Sequence, residues 1–280
     1  MIDFKNKVAV ITGAASGIGR ALAERCALEG MKVVLADVEL DALTNVEASM
    51  KAAGASVLAV RTDVAQAADV EALAQKTLEA FGAVHLLCNN AGVAGSAAPI
   101  WESTIADWQW VLSVNLWGVI HGVRVFVPIM LAQNTQCHIV NTASMAGLIS
   151  SPGLGPYKVT KHGVVTISET LHHELAERGA NVKVSVLCPG VVNTEIMESA
   201  RNRPGHYPTK EPIDPTSRAG WEVLGKLVQA GMPAEQVADI VLDAVRKEQL
   251  YIHTHPEGKE YIRTRMEDIL HGRNPTFPGA

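Results

Sequence analysis

The chain has 280 residues, 48% of them hydrophobic and 19% charged, a balance that excludes a disordered protein and suffices for one large α/β core. A net charge of -5 without any Lys/Arg cluster excludes the electrostatic footprint of a nucleic-acid binder. Cys26, Cys88, Cys137 and Cys188 lie far apart with no CxxC spacing, so they read as buried free thiols in a reducing compartment.

The N-terminus, MIDFKNKVAVITG, has neither a long apolar region nor a small-residue cleavage site, so no secretory signal is expected. KVAVIT (7–12) is a β-branched apolar run, the pattern of a buried parallel strand. It meets the glycine-rich stretch TGAASGIG (12–19), and RALAERCALEG then takes up helical period and closes on Gly30. Strand, glycine turn and helix in that order form a phosphate cradle. Gly13, Gly17 and Gly19 let the backbone approach a pyrophosphate, and the helix start supplies N–H groups and a positive dipole.

KVVLAD (32–37) is a second strand, ending on Asp37. A carboxylate there is placed to accept hydrogen bonds from an adenosine ribose, or instead to cap the helix that starts near Glu39–Leu40. SVLAVRTDV (56–64) is a third strand whose terminal Asp63 and Val64 would flank an adenine, and VHLLCNNAG (84–92) a fourth, running into a turn of Asn89, Asn90, Ala91 and Gly92.

Residues 104–133 carry one long helical pattern. Its most apolar part, Trp110 to Leu131, is interrupted by Asn115, His121 and Arg124 and reads as a buried helix rather than a membrane span. Buried Asn115 must find hydrogen-bond partners, and a core amide satisfied by backbone is the plain alternative to any functional role. HIVNTAS (138–144) brings the Ser144 hydroxyl to the mouth of a strand.

Gly155-Pro156 then opens a helix, placing Tyr157 and Lys161, four residues apart, on one face. A free phenol titrates near pH ~10, and an adjacent ammonium is expected to lower that, each unit being roughly 1.4 kcal/mol. Such a tyrosine can exchange a proton near neutrality, with Ser144 binding the same substrate oxygen.

NVKVSVLCPG (181–190) reads as a sixth strand, PAEQVADIVLDAVRKEQ (233–249) as a helix and YIHT (251–254) as a last short strand. Between them, residues 195–232 lose periodicity at Arg201, Arg203, Pro204, Gly205, His206, Pro208 and Pro212. His206, His253, His255 and Glu257 complete no ligand set, so no metal is expected.

TGAASGIG, DV at 63–64, NNAG at 89–92, Asn115, Ser144, YKVTK at 157–161 and PGVVNT at 189–194, in this order, resemble the short-chain dehydrogenase/reductase family in its single-domain branch. The resemblance implies a Rossmann-type, doubly wound α/β fold. One domain over 1–280 would carry a seven-stranded parallel sheet with helices on both faces, a substrate lid at about 195–232 and a tail at about 255–280.

It also implies NAD(H) bound by Gly13, Ser16, Gly17, Ile18, Gly19, Asp37, Asp63, Val64, Asn90, Ala91, Gly92, Tyr157, Lys161, Pro189, Val192 and Thr194. The carboxamide would meet the Val192 backbone and the Thr194 hydroxyl, although Thr194 equally suits a helix N-cap. Catalysis would fall to Asn115, Ser144, Tyr157 and Lys161, with Asn115 holding a water beside the lysine. Val159-Thr160 stand where the family often has Ala-Ser, and the departure leaves Tyr157 and Lys161 in register.

The expected activity is NAD-dependent interconversion of a secondary alcohol and a ketone. Met145, Leu148, Leu154 and Met197 are candidate walls for an apolar or aromatic substrate. The alternatives are a non-catalytic dinucleotide sensor or scaffold and a nucleotide-sugar epimerase or dehydratase. The remaining expectations are a cytoplasmic protein without nucleic-acid or membrane partners. Leu116, Val119, Val123 and Val127, and Val164, Ile167 and Leu171, follow helical spacing, and the resemblance implies that these two helices pair with a second copy in a homotetramer, or at least a dimer.

Overall fold

In the computed structural model of the chain, which describes residues 3–96, 98–208 and 215–276, seven strands form one parallel sheet in the order β3-β2-β1-β4-β5-β6-β7. The strands are β1 (Val8–Thr12), β2 (Lys32–Asp37), β3 (Val57–Arg61), β4 (Leu86–Asn89), β5 (Cys137–Thr142), β6 (Val182–Cys188) and β7 (Tyr251–His253). Their apolar runs are continuous because both faces are covered. Along β1, Ala9 and Ile11 pack towards α1 (Gly17–Leu28), α2 (Leu40–Ala52) and α8 (Ala234–Arg246). Val10 faces α3 (Ala67–Phe81), α5 (Gly118–Gln133) and α6 (Gly155–Glu177) on the other side. Leu22 of α1 and Val241 of α8 are fully buried in that first layer, each such side chain stabilising by roughly 1.5–3 kcal/mol.

The strand order reverses between β1 and β4. In an open α/β sheet the crevice outside the C-terminal strand ends at such a point is where ligands bind. The expected third strand ran to 64, but its ladder stops at Arg61, while the fourth ends at Asn89, where the expected turn begins. The remaining residues leave the sheet and line that crevice.

The 104–133 pattern is not one uniform helix. α4 (Ile105–Leu112) starts with a Thr104/Asp107 capping box, a π-helical turn occupies Ser113–Trp117, and α5 follows. A π turn widens the helix locally and is a recurrent mark of functional sites; here it surrounds Asn115. The run is long and apolar enough by composition to cross a bilayer, but Phe126, Val127 and Met130 are buried against the sheet, as in a core helix.

Two further expectations are altered by packing. Within 195–232 the chain forms a 3₁₀ helix (Glu195–Asn202) and a 15-residue helix, α7 (Pro215–Gln229), while residues 209–214 lie outside the described residues. Val119, Val127, Val164 and Leu171 are buried in the chain's own core, and Leu116, Val123 and Ile167 pack against it. They do not form a bare apolar face. The exposed large apolar residues of α4, the π turn and α6 are Ile105, Trp117 and Val159, 72%, 50% and 47% accessible.

Candidate active site

The glycine turn is built as a close backbone approach. Gly13 has φ +66°, and a Cβ at Gly19 would stand 1.9 Å from the Gly13 carbonyl oxygen, so neither position accepts a larger residue. Ser16, the N-cap of α1, makes no side-chain capping bond, which leaves the first N–H groups of the helix for an anion. Asn90 ties the turn to β4. Its amide nitrogen donates to the Thr12 carbonyl at 3.0 Å, while the backbone N–H groups of Asn90 and Ala91 donate to the Thr12 hydroxyl at 2.9 and 3.1 Å. Thr12 is an organising residue that the sequence reading passed over, although it opens the motif.

Asp37 faces the same crevice. One oxygen accepts from the Ala15 N–H at 2.9 Å and the other from the Glu39 N–H at 3.0 Å. Burial pushes its carboxyl up, and these backbone hydrogen bonds oppose the rise. The cap of α2 is Glu39, without a side-chain capping bond, so Asp37 stands before the helix, receives the Glu39 N–H and lines the cavity.

That cavity, about 620 Å³, runs along the C-terminal strand edge past Gly13, Ser16, Gly17, Ile18, Asp37, Asp63, Val64, Asn90, Ala91 and Gly92 to Ser144, Tyr157, Lys161, Pro189, Val192 and Thr194. Gly19 and Asn115 stand behind its wall. Gly19 presses on Gly13 and Asn90, and Asn115 Oδ1 and Lys161 Nζ both face Gly92.

At the inner end Tyr157 and Ser144 line the same stretch of cavity. Burial raises the phenol's pKa, and the Ser144 hydroxyl opposes the rise in part. The Lys161 ammonium lies over the ring face, 5.4 Å from its centroid, and donates to the Thr142 carbonyl at 2.9 Å. Burial brings Lys161 down to about 8. The expected lowering of the phenol by the lysine is thus absent from this arrangement, because desolvation dominates and the ammonium sits across the ring.

Asn115 accepts from the Val93 N–H at 2.8 Å and donates to the Val93 carbonyl at 2.9 Å. Its side chain is satisfied by backbone, as the plain reading had it, and it locks the loop after Gly92 against α6 through Thr160, 3.4 Å away. Thr194 is the N-cap residue of the 3₁₀ helix but makes no side-chain capping bond. Its methyl lies against Gly17 instead.

Met145, Leu154 and Met197 line the cavity, whereas Leu148 is buried with Val164 and Val186. Trp110, Val114, Tyr207 and Leu224 complete an apolar end that the sequence did not assign. Leu154 sits there with φ 56°, a left-handed conformation costing roughly 1–2 kcal/mol outside glycine. Lys158 braces it by donating to the Gly153 and Pro152 carbonyls.

The segment after Thr194 is fastened on both edges of the crevice. Arg201 and Asn202 reach Glu39 at 2.8 and 2.6 Å. Arg203 pairs with Asp107 at 2.6 Å, with both side chains almost wholly buried and the guanidinium 5.0 Å from the Trp110 ring centre. Both contacts join residues about a hundred or more positions apart, so no local pattern pointed to them.

Fold and site together define a doubly wound dinucleotide-binding protein with a serine–tyrosine–lysine centre. The family model described as short chain dehydrogenase matches residues 7–205, and the chain belongs to the short-chain dehydrogenase/reductase family. It is 35% identical over 275 residues to a CLA biosynthesis dehydrogenase/reductase of Lactiplantibacillus plantarum, covering 96% of this chain and 95% of the relative. It is 32% identical over 271 residues to the C alpha-dehydrogenase of Sphingobium sp. strain SYK-6, covering 96% and 87%. The crystal structure of a short-chain dehydrogenase/reductase from Burkholderia phymatum in complex with NAD superposes with a TM-score of 0.96 at 49% identity, over 99% of both chains.

Proposed function

We propose that the protein is an NAD(H)-dependent oxidoreductase that interconverts a secondary alcohol and a ketone. The observation that carries this reading is that Ser144, Tyr157 and Lys161 line one cavity, with the Lys161 ammonium over the Tyr157 ring. This group lies at one end of a cavity whose other end presents Asp37.

The chain fits a dinucleotide. The glycine turn leaves no room for a Cβ at Gly19, the start of α1 is uncapped by side chains, and Asp37 is fixed by two backbone N–H groups. The relative from Burkholderia phymatum, similar along its whole length, was solved with NAD, which supports the same cofactor here. When bound, the nicotinamide supplies the hydride acceptor.

Ser144 and Tyr157 bind the substrate oxygen, and Tyr157 takes the hydroxyl proton during oxidation and returns it during reduction. Lys161 supplies positive charge beside the phenol and a donor towards the cofactor ribose. Asn115 holds the Val93 loop that faces Lys161. Orientation of alcohol and cofactor in one dry cleft supplies much of the rate.

The apolar end formed by Trp110, Val114, Met145, Leu154, Met197 and Tyr207 supports a medium-sized apolar or aromatic substrate. Segment 195–232 serves as the lid over it. The exposed Trp117 and Val159 fit burial in a homotetramer, and the four thiols, buried and free, suit the cytoplasm.

The test is NADH formation with a panel of aliphatic and benzylic secondary alcohols, and NADH consumption with the matching ketones. Turnover that favours aryl or long alkyl substrates supports the reading. NADH binding without turnover of any panel member points to a sensor or scaffold.

A further inference from the structure

β7 runs beside β6 with Cys188 opposite His253. The ladder ends there. The next N–H on the β7 side, that of Gly190 just past β6, turns instead to side chains that follow β7. It donates to the Thr254 hydroxyl oxygen at 3.3 Å and to His255 Nδ1 at 3.2 Å, and the Thr254 hydroxyl donates its own proton to that Nδ1 at 2.6 Å. His255 therefore accepts through Nδ1. Its ring is seated on Gly190, where an added Cβ would meet His255 Cγ at 2.6 Å.

The same turn reaches the catalytic serine from its other side. The Pro189 carbonyl accepts from the Met145 N–H at 2.9 Å and from the Ser144 hydroxyl at 3.5 Å. Gly258, three residues beyond His255, packs on Met145, its missing Cβ only 2.7 Å from the Met145 methyl. Pro189, Gly190, Ser144 and Met145 line the cavity, whereas Thr254, His255 and Gly258 do not. The C-terminal segment thus forms a buttress behind this end of the site.

We propose that His255, assisted by Thr254, is a positioning residue that holds the Pro189–Gly190 turn, and through it Ser144, in register with Tyr157. The inference rests on the reading of Ser144 and residues 189–194 as the nicotinamide end of the cleft. His255 touches neither cofactor nor substrate in this account. Its effect is confined to the nicotinamide half and leaves the adenosine half, around Asp37 and the glycine turn, untouched.

The test compares wild type, His255→Ala and His255→Asn, the last offering Oδ1 where the imidazole offers Nδ1. In His255→Ala the affinity for NADH is expected to fall about tenfold, the loss of roughly one hydrogen bond, while the affinity for ADP-ribose, which lacks the nicotinamide, stays within about twofold. kcat is expected to fall more than KM rises. In the free protein, hydrogen exchange of the peptide containing Gly190 should quicken.

His255→Asn should recover most of each change. Should His255→Ala fail to fold, Thr254→Val removes one acceptor at constant shape and should show the same selective loss of NADH affinity. Equal losses for NADH and ADP-ribose, or unchanged exchange at Gly190 with unchanged NADH affinity, would overturn the proposal. Selective loss of NADH affinity in a protein that oxidises no alcohol would sink the functional reading and leave this one standing.

Discussion

The Lys161 ammonium lies over the face of the Tyr157 ring, 5.4 Å from its centroid, and donates to the Thr142 carbonyl at 2.9 Å. Burying such a cation works against stability, since desolvation of an ammonium is unfavourable even with an acceptor in place. Burial lowers Lys161 from 10.5 to about 8. The folded state therefore binds fewer protons than the unfolded chain between those values, and stability rises with pH across that window.

On that difference the ammonium costs about 3 kcal/mol below pH 8, offset by about 1 kcal/mol from its hydrogen bond. Lys161→Met is expected to be inactive yet more stable than wild type by about 1–2 kcal/mol at pH 7, and to lose most of that advantage by pH 10. Urea unfolding at the two pH values checks both signs. An equal difference at both would show that burial does not depress the lysine.

The Arg203–Asp107 pair fastens the segment after Thr194 to the start of α4. Removing one partner of a buried pair leaves an uncompensated charge and costs about 3–5 kcal/mol. Arg203→Met should therefore lower stability by an amount in that range and quicken hydrogen exchange over residues 203–208. The Arg203→Met, Asp107→Leu double variant should recover part of the loss. Losses that simply add would show that the pair contributes nothing beyond its separate packing. In wild type, exchange across the described parts of 195–232 should slow when NADH and ketone bind, and equal rates with and without ligands would count against a lid.

Asp37 sets the expected cofactor preference. Placing a 2′-phosphate beside its carboxylate brings like charges together in a partly dry site. Neither Ser16 nor Val38 supplies a compensating cation, and Arg201 at the same edge is already held by Glu39 and Glu195 at 2.8 and 3.1 Å. NAD is expected to be preferred over NADP by at least ~100-fold in kcat/KM, about 2.7 kcal/mol. Asp37→Ser with Val38→Arg should erode or reverse the preference. Equal efficiency of wild type with both cofactors would mean that the 2′ position lies away from this carboxylate.

The sheet was legible because its strands are short apolar runs ending in glycine or carboxylate, and both faces are buried. The glycine turn, Asp37, Ser144, Tyr157 and Lys161 were legible for a related reason: they sit at or next to strand and helix ends, where spacing fixes direction.

What the sequence concealed depends on contacts between distant positions. Thr12 meets Asn90, Arg203 meets Asp107, and His255 meets Gly190, and no periodicity encodes such pairs. α7 was hidden by the prolines and glycines before it, which broke the pattern without excluding a helix after them. Helical spacing alone does not tell a core-facing residue from an outward one, and Leu116, Val123 and Ile167 stay only partly buried. Val119, Val164 and Leu171 turn inward.

The central claim is that Tyr157 moves the proton. Tyr157 lines the cavity together with Ser144, and Tyr157→Phe removes the phenol oxygen while keeping the ring beneath Lys161. The decisive measurement is NADH affinity and alcohol oxidation rate on the same Tyr157→Phe preparation. The account predicts affinity within about threefold of wild type and a kcat lower by a factor on the order of 10³ or more. Oxidation at more than a tenth of the wild-type rate, with NADH still bound, would remove Tyr157 as the acid–base group.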